Sequence, residues 1–273
     1  MRLALLGSPV DQALSPVLHR AAYQALSLNW TYEAIDCREA DLPGFFASLD
    51  DTWAGFSLTM PLKHAALPLM ADASPVAAAT GVVNTVVVQD GRLLGDNTDV
   101  AGMLQALREM PGNRPGPAAV LGAGSTAATA LAALTELGIK EVVAVARNPA
   151  RAGALRAAAK RLGTDLAIQP WHTERLPPAA LVISALPPGA ADALVPAMAG
   201  FHGALLDVVY RPWPTRLAAA ARTAGATVVG GLTMLLHQAA RQVTLQTGAV
   251  HAPTAAMREA ALESLNDRTV QPI

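Results

Sequence analysis

The sequence predicts an α/β fold of two domains, each built around its own sheet. Three observations lead there. Apolar residues make up 52% of the 273-residue chain and charged residues only 15%, enough to fill two cores. From Ala118 to Val229, short apolar runs alternate with Ala-rich helical stretches, the pattern of a parallel sheet covered by crossover helices. The densest breaker cluster, Pro111-Gly-Asn-Arg-Pro115-Gly-Pro117, stands just before that stretch and reads as a domain boundary.

In chain order, Leu3 to Leu6 is a buried-strand run that stops at Gly7-Ser8-Pro9. Ser15-Pro16 supplies an N-cap and a first-turn proline for a helix with Val17, Leu18, Ala21, Ala22, Ala25 and Leu26 at helical spacing. Trp30 to Ile35 reads as a strand, Asp41 as the cap of a short helix reaching Leu49, and Trp53 to Leu58 as a further strand. Leu62 to Met70 has helical spacing. Gly81 to Gly95 reads as a hairpin turning at Gln89-Asp90-Gly91. Gly95 to Asp99 then opens a helix whose apolar face is Val100, Met103, Leu104 and Leu107.

After the breakers comes Ala118-Ala-Val-Leu-Gly122-Ala-Gly124-Ser-Thr-Ala127, a helix closed by Gly138, and the strand Glu141 to Ala146. This βαβ unit carries the G-x-G-x-x-A fingerprint of a dinucleotide site, so the second domain is of Rossmann type. Gly122 permits the sharp turn, Gly124 leaves room for a pyrophosphate, and Ala127 lets helix and strand pack closely. At the end of the second strand an NAD site usually has an acid for the ribose 2′-hydroxyl. Here stands Arg147, which suits the 2′-phosphate of NADP; a solvated strand-end arginine is the plainer reading. Further strands are expected at Asp165–Ile168, Leu181–Ala185, Leu205–Val209 and Thr227–Val229. Beyond Gly231 the pattern is purely helical, Leu232 to Gln246 and Thr254 to Leu265, and these helices need a sheet to cover. The expected domains are therefore residues 1–100 plus 231–273, for substrate, and 101–230, for the nucleotide.

Composition narrows the function. A net charge of −1 with no basic run gives no footprint for nucleic acid. The single cysteine, Cys37, excludes internal disulfides and cysteine metal clusters and reads as packing or surface. No His spacing suggests a metal site, and His19 and His237 read as core or surface residues. The apolar start ends at Gly7, too short for a signal sequence, and no run is long enough to span a membrane. A soluble, cytoplasmic protein is expected.

Beside a nucleotide domain, the substrate is expected in the cleft next to it, lined by polar residues at strand ends. Lys63 follows a strand and the Thr59-x-Pro61 turn, and Asp99 stands at a helix entry. Asn84 interrupts the apolar run Val82, Val83, Val86, Val87 and Val88, which is costly unless its amide is paired. Each also has a plain reading: a surface lysine, a helix cap, an amide bonded to backbone. With a nicotinamide they suit hydride transfer at a secondary alcohol or ketone, where a group must exchange the hydroxyl proton.

Further motifs run in order along the chain: Gly7-Ser-Pro-Val, Leu14-Ser15-Pro16-x-x-His19, Ser57-Leu-Thr59-Met-Pro61-Leu-Lys63, Gly81-Val-Val-Asn84-Thr85 and Gly95-Asp-Asn97-Thr-Asp99. After the glycine turn come Asp207-Val-Val-Tyr210-x-Pro212-x-x-Thr215-x-Leu217 and Gly231-Leu-x-Met234-Leu-x-x-Gln238-Ala. With these motifs the chain resembles the shikimate dehydrogenases, which reduce 3-dehydroshikimate with NADPH in aromatic amino-acid biosynthesis. The resemblance implies Lys63 and Asp99 as the catalytic pair, and Ser15, Thr59, Asn84, Tyr210 and Gln238 as substrate ligands. It implies Gly122, Ala123, Gly124, Ser125, Thr126, Ala127, Arg147, Asn148, Val208, Gly231 and Met234 as NADP ligands. It implies no metal and a monomer or homodimer. The family usually has a second serine where this chain has Ala13, which removes one charge-assisted bond to a substrate carboxylate. Losing such a bond costs about 1.5–3 kcal/mol, so a relative acting on quinate or an aminated shikimate is one alternative. A non-catalytic NADP-binding module that keeps the fold is another, and the presence of both Lys63 and Asp99 argues against it.

Overall fold

The computed structural model describes residues 1–111 and 116–270, so residues 112–115 of the expected boundary cluster lie outside the described residues. Two units emerge from the chain's internal packing. The first holds Met1–Ala78, Val82–Thr98 and the chain from Leu236 onward; the second holds Ala79–Gly81 and Asp99–Leu235.

The first unit contains strands β1 (Arg2–Gly7), β2 (Thr31–Asp36), β3 (Trp53–Leu58), β4 (Asp72–Ala73), β5 (Thr85–Gln89) and β6 (Arg92–Asp96) in the order β2-β1-β3-β5-β6-β4. β1 runs parallel to β2 and β3, whereas β5 is antiparallel to both β3 and β6. The β5–β6 hairpin turns on Asp90 and Gly91, with φ of 51° and 70°. That is the two-residue turn whose handedness matches strand twist, and Asp-Gly is a sequence that tolerates it. Helices α1 (Ser15–Ala25), α2 (Leu42–Ala47), α3 (Leu62–Ala65) and α4 (Pro75–Thr80) connect the strands. Leu6, Phe56, Leu58, Leu62, Val83 and Val86 fill the core, with Phe45 edge-on to both Phe56 and Trp53.

The second unit's strands are β7 (Ala118–Leu121), β8 (Glu141–Ala146), β9 (Asp165–Pro170), β10 (Leu181–Ser184), β11 (Ala204–Asp207) and β12 (Thr227–Gly230). All pair in parallel, in the order β12-β11-β10-β7-β8-β9. Sequence neighbours lie on opposite sides of β7, so the strand order reverses there, the place where such sheets bind ligands beyond the strand carboxyl ends. α5 (Thr98–Arg108) enters this unit, and α6 (Ser125–Glu136), α7 (Gly153–Leu162) and α8 (Arg216–Thr223) follow their strands. α9 (Gly231–Thr247) leads back to the first unit, where α10 (Thr254–Val270) packs against α1.

Several local expectations are corrected. The helix expected over Leu62–Met70 stops at Ala65 and becomes a 3-10 turn at Leu67–Leu69, because Pro68 lacks the N–H an α-helix would use there. Between β10 and β11, Pro187, Pro188 and Pro196 allow only 3-10 turns where a helix was expected. Ser15 is not the N-cap: Leu14 holds that position, its carbonyl accepting from the Leu18 N–H. Asp41 holds the cap position of α2, but its side chain makes no cap bond. Val82 to Asn84 precede β5 rather than belonging to it.

Candidate active site

The glycine turn follows β7. Gly122 has φ of +117°, a backbone conformation an L side chain adopts only under strain, and its N–H donates to the Val145 carbonyl at 2.9 Å. Gly124 takes the cap position of α6, and no side chain bonds the amides of the first turn. A methyl group at Gly124 would meet nothing within 4 Å, so the turn is open at that residue. A twelve-residue helix with an uncapped start offers N–H donors and a partial positive charge to an anion. Ala123, Ser125 and Thr126 line the turn half-buried, while Ala127 is buried against the sheet.

Arg147 and Asn148 stand exposed where β8 ends. The Asn148 carboxamide oxygen accepts from the Ala150 N–H at 3.1 Å and so starts a 3-10 turn. The Arg147 guanidinium lies over the Trp171 ring, 5.6 Å from its centroid. Among the described residues Arg147 has no carboxylate partner, so its charge is uncommitted. The NADP-binding residues implied by the sequence thus fit a phosphorylated dinucleotide in two respects, open helix amides and a free cation.

After β11, buried Asp207 accepts from the Thr215 hydroxyl at 2.6 Å and from the Val209 N–H at 3.3 Å. Burial pushes its carboxyl pKa up. These bonds hold both ends of the loop that carries Val208 and half-buried Tyr210. α9 begins against that loop: a methyl group at Gly231 would stand 1.9 Å from the Val208 carbonyl oxygen. The Gly231 N–H donates to the Val209 carbonyl at 3.1 Å, and Met234 is buried one turn further on.

In the first unit, Thr59 is placed by its N–H, which donates to Leu6, and by Gly7, where a methyl group would collide with the Thr59 side chain at 2.3 Å. Lys63 is half-buried in the single turn of α3, its carbonyl accepting from Val83. Neither the Ser15 nor the Thr59 hydroxyl has a hydrogen-bond partner among the described residues. Asn84 is 1% exposed. Its oxygen accepts from the Thr98 N–H and the Thr85 hydroxyl, both at 2.7 Å, and its amide nitrogen donates to Gln238 at 3.4 Å. With its oxygen saturated, Asn84 presents only N–H to a ligand. Asp99 is buried in the first turn of α5, in the second unit.

Residues 5–86 match the family model described as the shikimate dehydrogenase substrate binding domain, and residues 231–262 the shikimate 5′-dehydrogenase C-terminal domain. A shikimate dehydrogenase (NADP(+)) of Thermus thermophilus is 38% identical over 269 residues, covering 97% of this chain and 99% of the relative. The chain belongs to the shikimate dehydrogenase family. Among solved structures, a shikimate 5-dehydrogenase of Thermus thermophilus in complex with NADP(H) and shikimate shares 36% identity, with a TM-score of 0.81. It covers 97% of this chain and 99% of its own. A quinate dehydrogenase of Corynebacterium glutamicum in complex with NAD superposes with a TM-score of 0.87 at 29% identity, covering 96% and 99%.

Within this shikimate dehydrogenase fold the sequence reading passed over three residues. Gln242 lies one helical turn from Gln238 and donates to the Asn84 carbonyl and the Thr85 hydroxyl at 3.2 and 3.1 Å. Its oxygen accepts from Ser57 at 2.9 Å and meets buried His19 at 3.1 Å. Its place four residues after Gln238 was the available signal. Asp207 lies within the Asp207-Val-Val-Tyr210 motif without a role that the motif assigns it, and Trp171 lies in no motif. No helix among the described residues is long and apolar enough to cross a membrane, and none of their acidic, His or Cys side chains gather as a metal site.

Proposed function

We propose that the chain catalyses the reversible NADPH-dependent reduction of 3-dehydroshikimate to shikimate. The observation that carries this is the match, across nearly all of both chains, to the Thermus enzyme holding NADP(H) and shikimate. The open α6 amides and Arg147 supply the dinucleotide side. Ser15, Thr59, Asn84, Tyr210 and Gln238 supply hydroxyl and amide partners for a polyhydroxylated acid.

When bound, NADPH supplies the hydride for the ring carbonyl carbon. Lys63 delivers the proton to the carbonyl oxygen as it becomes a hydroxyl, and takes that proton back in the oxidative direction. Asp99 fixes the neighbouring substrate hydroxyls, and the Asn84 N–H orients the ring. Lys63→Ala is expected to lower kcat for shikimate oxidation by about 10²–10⁴-fold. Binding of NADP, followed by titration, should stay within about twofold of native, the loss being confined to proton transfer. Unchanged kcat would refute the proton-transfer role.

The quinate reading is favoured by the Corynebacterium neighbour and by Ala13, half-buried just before Ser15. Arg147, where an NAD site has an acid, weighs against a shared cofactor preference. Steady-state assays with shikimate, quinate and an aminated shikimate against NADP and NAD decide between them; negligible shikimate oxidation would sink the first reading. The protein is proposed to act in the cytoplasm as a monomer or homodimer.

A further inference from the structure

We propose that Trp171 is a positioning residue for the cofactor: its ring seats the Arg147 guanidinium where it meets the 2′-phosphate. The inference rests on the reading of Arg147 as the phosphate ligand. Trp171 follows β9, half-buried against the core of the second unit that includes Val145 and Val182. Its indole N–H donates to the Val145 carbonyl at 3.2 Å, the same oxygen that receives the Gly122 N–H. One carbonyl thus ties the ring to the glycine turn. The ring has its edge fixed on β8 and the Arg147 guanidinium over it, 5.6 Å from its centroid.

The chemistry of that seat matters. A carboxylate holding Arg147 would compete with an incoming phosphate for the same N–H groups. An indole face attracts the cation through its quadrupole, leaves the guanidinium fork unpaired, and restrains a long flexible side chain before a ligand arrives. An arginine already restrained loses less freedom on gripping the phosphate. Discrimination between NADP and NAD then depends on a ring that need not touch either.

The test is isothermal titration of the full chain with 2′,5′-ADP and with 5′-AMP, which differ only by the 2′-phosphate. Trp171→Leu is expected to weaken 2′,5′-ADP about fivefold, the size of one exposed cation–π contact, while leaving 5′-AMP within about twofold. Trp171→Phe, which keeps a ring, should recover most of that loss. In an Arg147→Ala background, Trp171→Leu should change the ratio of the two affinities no further. That cycle separates seating from general damage, which would persist without the arginine. Equal losses for both ligands with Trp171→Leu would show direct adenine stacking or a merely structural ring and overturn the proposal. So would native affinity for both ligands, or Trp171→Phe faring no better than Trp171→Leu. If Arg147→Ala weakens the two ligands equally, the phosphate reading of Arg147 itself falls, and the role of Trp171 with it.

Discussion

A side chain as small as a methyl group has no place at Gly231, because the Val208 carbonyl oxygen would be 1.9 Å away. Gly231→Ala is expected to cost about 1–3 kcal/mol, the usual penalty of overpacking, seen as a lower urea midpoint. The loop it displaces carries Val208, so weaker NADP binding should accompany the loss; unchanged stability and binding would contradict the close approach. Gly122 was legible in the sequence because the fingerprint states its spacing and a positive φ is its local consequence. Gly231 was legible only as part of a family motif, since its constraint comes from a loop distant in sequence. Asn84 lies between these cases. Its isolation among valines announced a buried amide in need of partners, yet Thr98 and Gln238 could be found only in three dimensions.

Along α9, Gln238, Gln242 and Gln246 recur every fourth residue, so one face of the helix carries a buried row of amides. Gln242 satisfies partners on both sides, through Ser57 and His19 at its oxygen and Asn84 and Thr85 at its nitrogen. Gln246 donates to the Phe56 and Val86 carbonyls, but its own oxygen is buried with no partner among the described residues. Gln242→Leu should therefore cost roughly 2–4 kcal/mol, and Gln246→Leu under about 1 kcal/mol, since the latter also removes an unsatisfied atom. Equal denaturation midpoints for the two variants would refute this ranking. The sequence showed α9 as a helix and placed it over a sheet; the polarity of its buried face has meaning only once the strand carbonyls beneath it are known. The Leu62–Met70 segment failed differently. Its apolar spacing was helical, and Pro68 was the overlooked local signal.

At the scale of the molecule, acid stability is expected to follow His19. The ring is fully buried, stacked on Tyr32 at 4.1 Å and bonded to Tyr23 and Gln242, and burial pushes its pKa down to about 4 from 6.5. The unfolded chain thus binds a proton between those values that the fold refuses. Stability is full above about pH 6.5 and falls as the pH drops towards 4, by roughly 3 kcal/mol in all. His19→Gln should flatten that slope in urea titrations across the range, and an unchanged slope would refute the assignment. Asp207 acts in the opposite sense, its raised carboxyl favouring the fold at the acid end and losing that contribution as the pH rises through its folded value. Two sheets were legible from the alternation of apolar runs and breakers; strand order required the pairing itself. One feature of that layout also sets a timetable. The first unit takes its strands from the start of the chain and α9 and α10 from the end, while the second unit's sheet is continuous in sequence. On the ribosome the sheet of β1 to β6 must therefore wait, only partly covered by the helices between its strands, until α9 and α10 have emerged, whereas the second unit needs no more than the first residues of α9 after β12. Nascent chains arrested just after β12 should yield a protease-resistant core from the middle of the sequence, with the part made first still open to cleavage.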